Sequence, residues 1–304
     1  MTKAAPHSLP LPGLSESNPR DFLAALGLLR LVTLLWPALD PKLAWDPAQR
    51  HPVLHTCDLL PHQWDQQLTD QLKSLAADPI DPLFHGEVIR TSPAAFDAAL
   101  RKAVAFAETS DHPLRELPGL VYNAYSSQNA EDEEIHISAF SFANGGGGKS
   151  LLRDVRELIT ELGVDEIGLA LAGTGRPVAA KSLRWNPIEF RAAAYRGPDP
   201  TEGIKGDDTL DYPAFNVLAF AGLTFFPCAP GPRFGLTVGM QTMARESYFN
   251  WPIWSHPSKV DVVASILNQD PDDLGAAHGV SRRWQSRRFT ANKSVYFSPS
   301  SAMG

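Results

Sequence analysis

The sequence predicts an α+β protein, a mixed sheet packed with helices and a helical N-terminal part, and three observations lead there. Long stretches before residue 115 place apolar residues at three- and four-residue steps, the helical period. Shorter alternating or apolar runs of strand length are spread among helices through residues 116–304. The 26 prolines interrupt the chain often, so short elements joined by long connections are expected. At 304 residues and 33.1 kDa the chain can bury a large core. We expect one compact domain over 1–304, divisible at most into a mainly helical 1–115 and an α+β 116–304 with a basic C-terminal tail.

The first helix is signalled by Asn18, which can cap free N–H groups, and by Pro19 at the first helical position. It runs to Pro37 with almost no polar face, so it must be buried on most sides. Gly27 inside it weakens the helix, and its use is close approach of another backbone. Short strands are expected at Leu43 to Trp45 and Val53 to Thr56. His51, His55, Cys57 and His62 are the only cluster of metal-ligand types, but their spacing fits no zinc finger or ribbon; exposed loop histidines and a buried Cys57 are expected, and no metal is assigned. Helices follow at Gln63 to Ala77 and Pro93 to Thr109. Tyr122 and Tyr125 either stack on bases or belong to the core.

The best-formed local signal is Ile135 to Leu162. An alternating strand, Ile135 to Phe142, has two partly apolar faces and should be internal. It runs into Gly145, Gly146, Gly147, Gly148, Lys149 and Ser150, and then into a helix whose apolar side is Leu151, Leu152, Val155, Leu158, Ile159 and Leu162. Gly163 should close that helix in the left-handed region. A glycine loop before a helix exposes N–H groups at the positive end of the dipole, so the loop suits a phosphate. It departs from G-x-x-x-x-G-K-S at Ala143, and the next strand candidate, Ile167 to Ala172, ends without the carboxylate that magnesium needs.

Beyond it lies a connection dense in basic and aromatic residues: Arg176, Lys181, Arg184, Trp185, Arg191 and Arg196. Such loops recognise phosphates and bases; equally, an arginine can pack on Trp185 for stability alone. Then come a buried helix, Tyr212 to Phe226, a strand, Leu236 to Met243, and Trp251 and Trp254, which should pin the chain to the core. Val260 to Leu267 is a short amphipathic helix. The tail, with Arg282, Arg283, Trp284, Arg287, Arg288 and Lys293, reads as a strand or an arm.

Net charge is −7, which argues against a protein that grips nucleic acid over its whole surface. Yet residues 275–304 hold five basic side chains and no acidic one. Basic patches therefore sit on an acidic body. The N-terminus lacks the pattern of a signal peptide, no apolar run has bilayer length, and Cys57 and Cys228 give no disulfide framework, so a cytoplasmic protein with no membrane partner is expected.

The early helix NPRDFLAALGLLRLV, the loop FANGGGGKS, the block SLRWNPIEF with Tyr195 and Asp199 after it, the buried FNVLAFAGLTFFP, and FNWPIWSHP together cover most of the chain. In these the sequence resembles CRISPR-associated proteins of the type I-G systems, formerly called I-U, departing from them at Asn186, where Asp is more usual. The resemblance implies a large or accessory subunit of a guide-RNA surveillance complex, in contact with CRISPR guide RNA or target DNA and with other effector-complex subunits. In such complexes base pairing reads sequence while protein subunits hold the backbone.

The expectation is thus a subunit without catalysis and without cofactor. Its backbone contacts are assigned to Lys149, Ser150, Arg176, Lys181, Arg184, Arg191, Arg282, Arg283, Arg287 and Arg288, and its stacking to Trp185 and Trp284. Two alternatives stand beside it: a nucleotide-binding protein, ATPase or GTPase, using Gly145 to Ser150, and a scaffold that touches only protein.

Overall fold

A computed structural model describes residues 7–78, 90–122, 124–127, 135–137, 139–140, 142, 151–187, 209–229, 236–269, 279–291 and 294–303. In chain order these form β1 (His7–Pro10), α1 (Pro19–Leu35), β2 (Lys42–Trp45), β3 (Pro52–Thr56), α2 (Trp64–Ala77), β4 (Arg90–Thr91), α3 (Pro93–Thr109), α4 (Leu117–Tyr122), β5 (Tyr125–Ser127), β6 (Ile135–Ile137), α5 (Leu151–Glu161), α6 (Glu166–Leu171), β7 (Val178–Ala180) and β8 (Thr209–Asp211). There follow α7 (Pro213–Gly222), β9 (Cys228–Ala229), β10 (Leu236–Thr237), β11 (Met240–Met243), β12 (Glu246–Trp254), α8 (Val260–Leu267), β13 (Val280–Ala291), β14 (Ser294–Phe297) and β15 (Ser301–Met303). The fold is α+β, with every described strand pair antiparallel.

Helix α1 is the centre of the molecule. Asn18 caps it through its side-chain oxygen, which accepts from the Arg20 N–H at 3.0 Å, and Pro19 opens it. Its residues from Pro19 to Leu29 are all buried. Phe22 stacks on Trp45 of β2 at 5.8 Å and meets Phe249, Trp251 and Trp254 of β12 at 5.9–6.3 Å. The tryptophans are anchored by their indole N–H groups, Trp251 to the Glu16 carbonyl at 2.9 Å and Trp254 to the Leu43 carbonyl at 2.8 Å. Both pin β12 to the core, as their sequence setting suggests. One buried cluster runs from Leu11 through α1, α5 and α7 to Phe297.

On its other side α1 crosses α7 at backbone contact. A Cβ on Gly27 would overlap the Leu218 carbonyl oxygen, and one on Gly222 would overlap the Leu23 carbonyl oxygen. The two glycines remove side chains from the same crossing point, which is why a helix-weakening residue stands in α1.

Five strands, β11 to β15, form the largest sheet, in the order β11-β12-β13-β14 with β15 also on β13. Between β11 and β12 the chain turns at Ala244 and Arg245, both left-handed (φ 49° and 72°), as a tight hairpin of right-handed strands requires. The inner face carries Phe249, Trp251 and Ile253 of β12 and Phe297 of β14, all buried.

Several expectations are corrected. The strand at 135 is central in its sheet, β4-β6-β5, but ends at Ile137; Phe140 and Phe142 turn into the core against Phe249 and Phe297 instead. Ile167 to Ala172 is the helix α6, because a short apolar run fits either element and packing decides. The strand expected over Leu236 to Met243 is split by Gly239 (φ 75°) into β10 and β11. Gly163 is not left-handed; its N–H donates to Glu166 Oε2 at 2.8 Å, so a side chain closes α5. Cys57 is exposed, held by donation to the Ala38 carbonyl at 3.3 Å, whereas burial pushes the half-buried Cys228 thiol up to about 11. Of the two alternatives for Tyr122, the core one holds: it is buried against Phe96.

Candidate nucleic-acid interface

Strand alternation divides the arginines of the tail. Along β13, Arg282, Trp284, Ser286 and Arg288 share one face, opposite Ile253, Trp251, Phe249 and Ser247 of β12, and this is the core-facing side. Arg282 donates to both Glu16 carboxylate oxygens at 2.6 and 2.8 Å and to the Pro47 carbonyl at 2.6 Å. Glu16 is only 1% exposed. Arg288 donates from Nε to the Ala139 carbonyl at 2.8 Å and lies over the Phe142 ring, and burial lowers its pKa. Trp284 packs against the core with its indole nitrogen buried and without a hydrogen-bond partner. These residues hold the sheet to the body of the protein. The backbone contact and stacking expected of them fall on side chains already engaged with the body of the protein.

The outer face is different in kind. Arg283, Gln285, Arg287 and Phe289 of β13 stand beside Tyr248, Asn250 and Pro252 of β12, and Phe289 faces Tyr296 of β14. Gln285 donates to Asn250 at 2.9 Å, and Asn250 donates to Gln241 of β11 at 2.9 Å, so an amide ladder crosses three strands. Arg287 is exposed, lies 5.5 Å from the Phe289 ring centroid and pairs with Glu246 at 2.6 Å. The Tyr248 hydroxyl also donates to Glu246, and these two contacts hold its carboxyl below the usual range. Phe289 and Tyr296 are partly exposed, with centroids 6.1 Å apart. Arg184, itself left-handed (φ 64°), donates to the Phe142 carbonyl at 3.3 Å and lays its guanidinium over Tyr296 at 5.7 Å. One sheet face thus gathers cations, π-faces and amides.

Known protein families offer no model that matches this chain, and a comparison with curated proteins finds no match. The geometry of the site therefore carries the functional reading.

The remaining predicted residues are scattered. Trp185 is 0% exposed and its indole N–H donates to the Phe140 carbonyl at 2.7 Å, so its stacking role is corrected to a packing one. Lys181 is exposed but pairs with Glu157 and lies 3.8 Å from Asp154. Arg176 is exposed in the connection between α6 and β7. Gly145, Gly146, Gly147, Gly148, Lys149, Ser150 and Arg191 lie outside the described residues.

A nucleotide-hydrolysing site gains no support from the surrounding elements. The strand before the glycine loop belongs to an antiparallel sheet, and the element after α5 is a helix. A further charged cluster, Arg20, Asp21 and Asp211, is buried between α1, β8 and α7. Arg20 donates to Asp21 at 2.7 and 2.9 Å and to Asp211, and Asn216 donates to Asp211 at 3.1 Å. Burial pushes the Asp21 carboxyl up, against the pull of Arg20. The cluster joins helices in the interior, with its carboxylates bonded to Arg20, Asn216 and the Ser15 N–H. Among the described residues no group of His, Cys, Asp and Glu could hold a metal, and no helix is long and apolar enough to cross a membrane.

Gln241, Tyr248, Asn250, Gln285, Phe289 and Tyr296 were not singled out by the sequence. The signal was the alternation in SRRWQSRRF, which puts adjacent arginines on opposite faces.

Proposed function

We propose that this chain is a non-catalytic nucleic-acid-binding subunit of a type I CRISPR surveillance complex, acting in the cytoplasm. In this reading it contacts guide RNA or target DNA through the outer face of the β11–β15 sheet and neighbouring subunits through other surfaces. The observation that carries the reading is the joint presentation of Arg283 and Arg287 with Tyr248, Phe289 and Tyr296 on that face. Arginines hold phosphates through charge-assisted bonds while aromatic faces accept bases, a pairing that binds nucleic acid without a reading code. The resemblance to type I-G proteins supplies the complex, and a net charge of −7 argues against nucleic acid being held over the whole surface.

Tagged purification from the native host tests the reading. We expect a guide-length RNA together with repeated backbone subunits. A nucleic-acid-free monomer, recovered under low salt, overturns it.

A further inference from the structure

Resting on that reading, we infer that the outer sheet face takes unpaired nucleotides, with bases lying on Phe289, Tyr296 and Tyr248 and their edges bonded to the amide ladder. A duplex offers phosphates at its rim but hides its base faces in the stack. A face built only to hold a duplex needs cations and no exposed rings. Here the rings and cations alternate: Phe289 is two residues from Arg287 along β13, Tyr296 is its cross-strand partner, and Tyr248 stands directly opposite Arg287. Each π-face therefore has a guanidinium within reach of the phosphate belonging to the base it carries.

The ladder adds the second element. Gln285 and Gln241 each spend one group of the side-chain amide on Asn250 and keep the other, so both ends retain hydrogen-bonding capacity. Asn250 is 5% exposed and bonded on both sides, which fixes the ends in place. Amide groups held in this way bond base edges that only unpaired nucleotides expose on all sides. Glu246 sets the threshold: its pairing with Arg287 must be exchanged for a phosphate, which favours ligands that also bring a base to Phe289.

The test measures binding of the full chain to labelled oligonucleotides of about 15 residues, within the site sizes such faces span, as single-stranded RNA, single-stranded DNA and duplex. Single strands should bind about tenfold or more tighter than duplex. Phe289→Leu, which keeps apolar volume but removes the π-face, and Tyr248→Leu, which removes the π-face together with the hydroxyl bonded to Glu246, should each weaken single-strand binding roughly fivefold or more and weaken duplex binding less. Tighter binding of RNA assigns the face to the guide, and tighter binding of DNA assigns it to a target strand; both support unpaired-base recognition. Equal affinity for single strand and duplex, with both leucine variants folded and unaffected, overturns this inference while the broader nucleic-acid reading stands. Absence of binding to every oligonucleotide, alone and in the purified assembly, overturns both.

Discussion

Arg282 spends its charge on the buried Glu16 carboxylate, whereas its neighbour Arg283 faces the other side of the sheet. Removing Arg282 leaves a carboxylate that is 1% exposed with the mostly exposed Arg50 3.9 Å away in place of its close bidentate partner, and breaking a buried pair costs about 3 kcal/mol. Arg282→Ala should therefore lower the urea midpoint markedly, while Arg287→Ala, whose partner Glu246 is exposed, should leave it nearly unchanged. Equal midpoints would contradict the division of the tail. His112 gives a pH test at the same scale. Its Nδ1 accepts the Leu114 N–H at 3.0 Å, which a protonated ring cannot do, and burial lowers its pKa below the ordinary 6.5. The unfolded state then binds the proton first, so this contribution to stability is whole above 6.5 and is lost as pH falls toward the folded value. Unfolding curves between pH 7.5 and pH 5, about one unit either side of the ordinary histidine range, should show a smaller loss for His112→Asn, which keeps an acceptor without the titration. An identical loss in the variant would remove His112 from the account.

The crossing of α1 and α7 depends on backbone contact at Gly27 and Gly222. Gly27→Ala gains about 1 kcal/mol of helix propensity but meets a carbonyl that cannot move without shifting α7, at a cost of roughly 3 kcal/mol. The net loss should be about 2 kcal/mol in chemical unfolding, and a stabilised variant would show that the helices can separate there. This element was largely legible in the sequence. Asn18 and Pro19 act within a few residues of where they stand, and cap rules are local; Gly27 announced a close backbone, which the structure supplies from Leu218 of α7. Ile167 to Ala172 was not legible, because six apolar or small residues carry no period that separates strand from helix. Phe140 and Phe142 continued an alternation on paper, while the aromatic cluster around Phe249 and Phe297 drew them out of the strand.

Across the whole molecule, a net charge of −7 and a sheet face that carries Arg283 and Arg287 are compatible because the sheet sorts the charges. Of the tail arginines, two serve the interior and two the surface, a division set by the register of β13 on β12. That register depends on partners more than thirty positions away, such as Trp251 opposite Trp284, so the sequence revealed a basic tail but not its two faces. Trp185 was similarly ambiguous until the Phe140 carbonyl occupied its indole N–H. We propose that the outer face, and not the tail as a whole, is where nucleic acid is held. The most direct measurement of that claim is the salt dependence of single-stranded RNA binding for the natural chain and for Arg283→Ala/Arg287→Ala. Each phosphate contact on a single strand contributes about 0.7 to the slope of log K against log salt, so the double variant should lose roughly 1.4 from the slope while unfolding at the same urea concentration. An unchanged slope in a folded double variant would contradict the account.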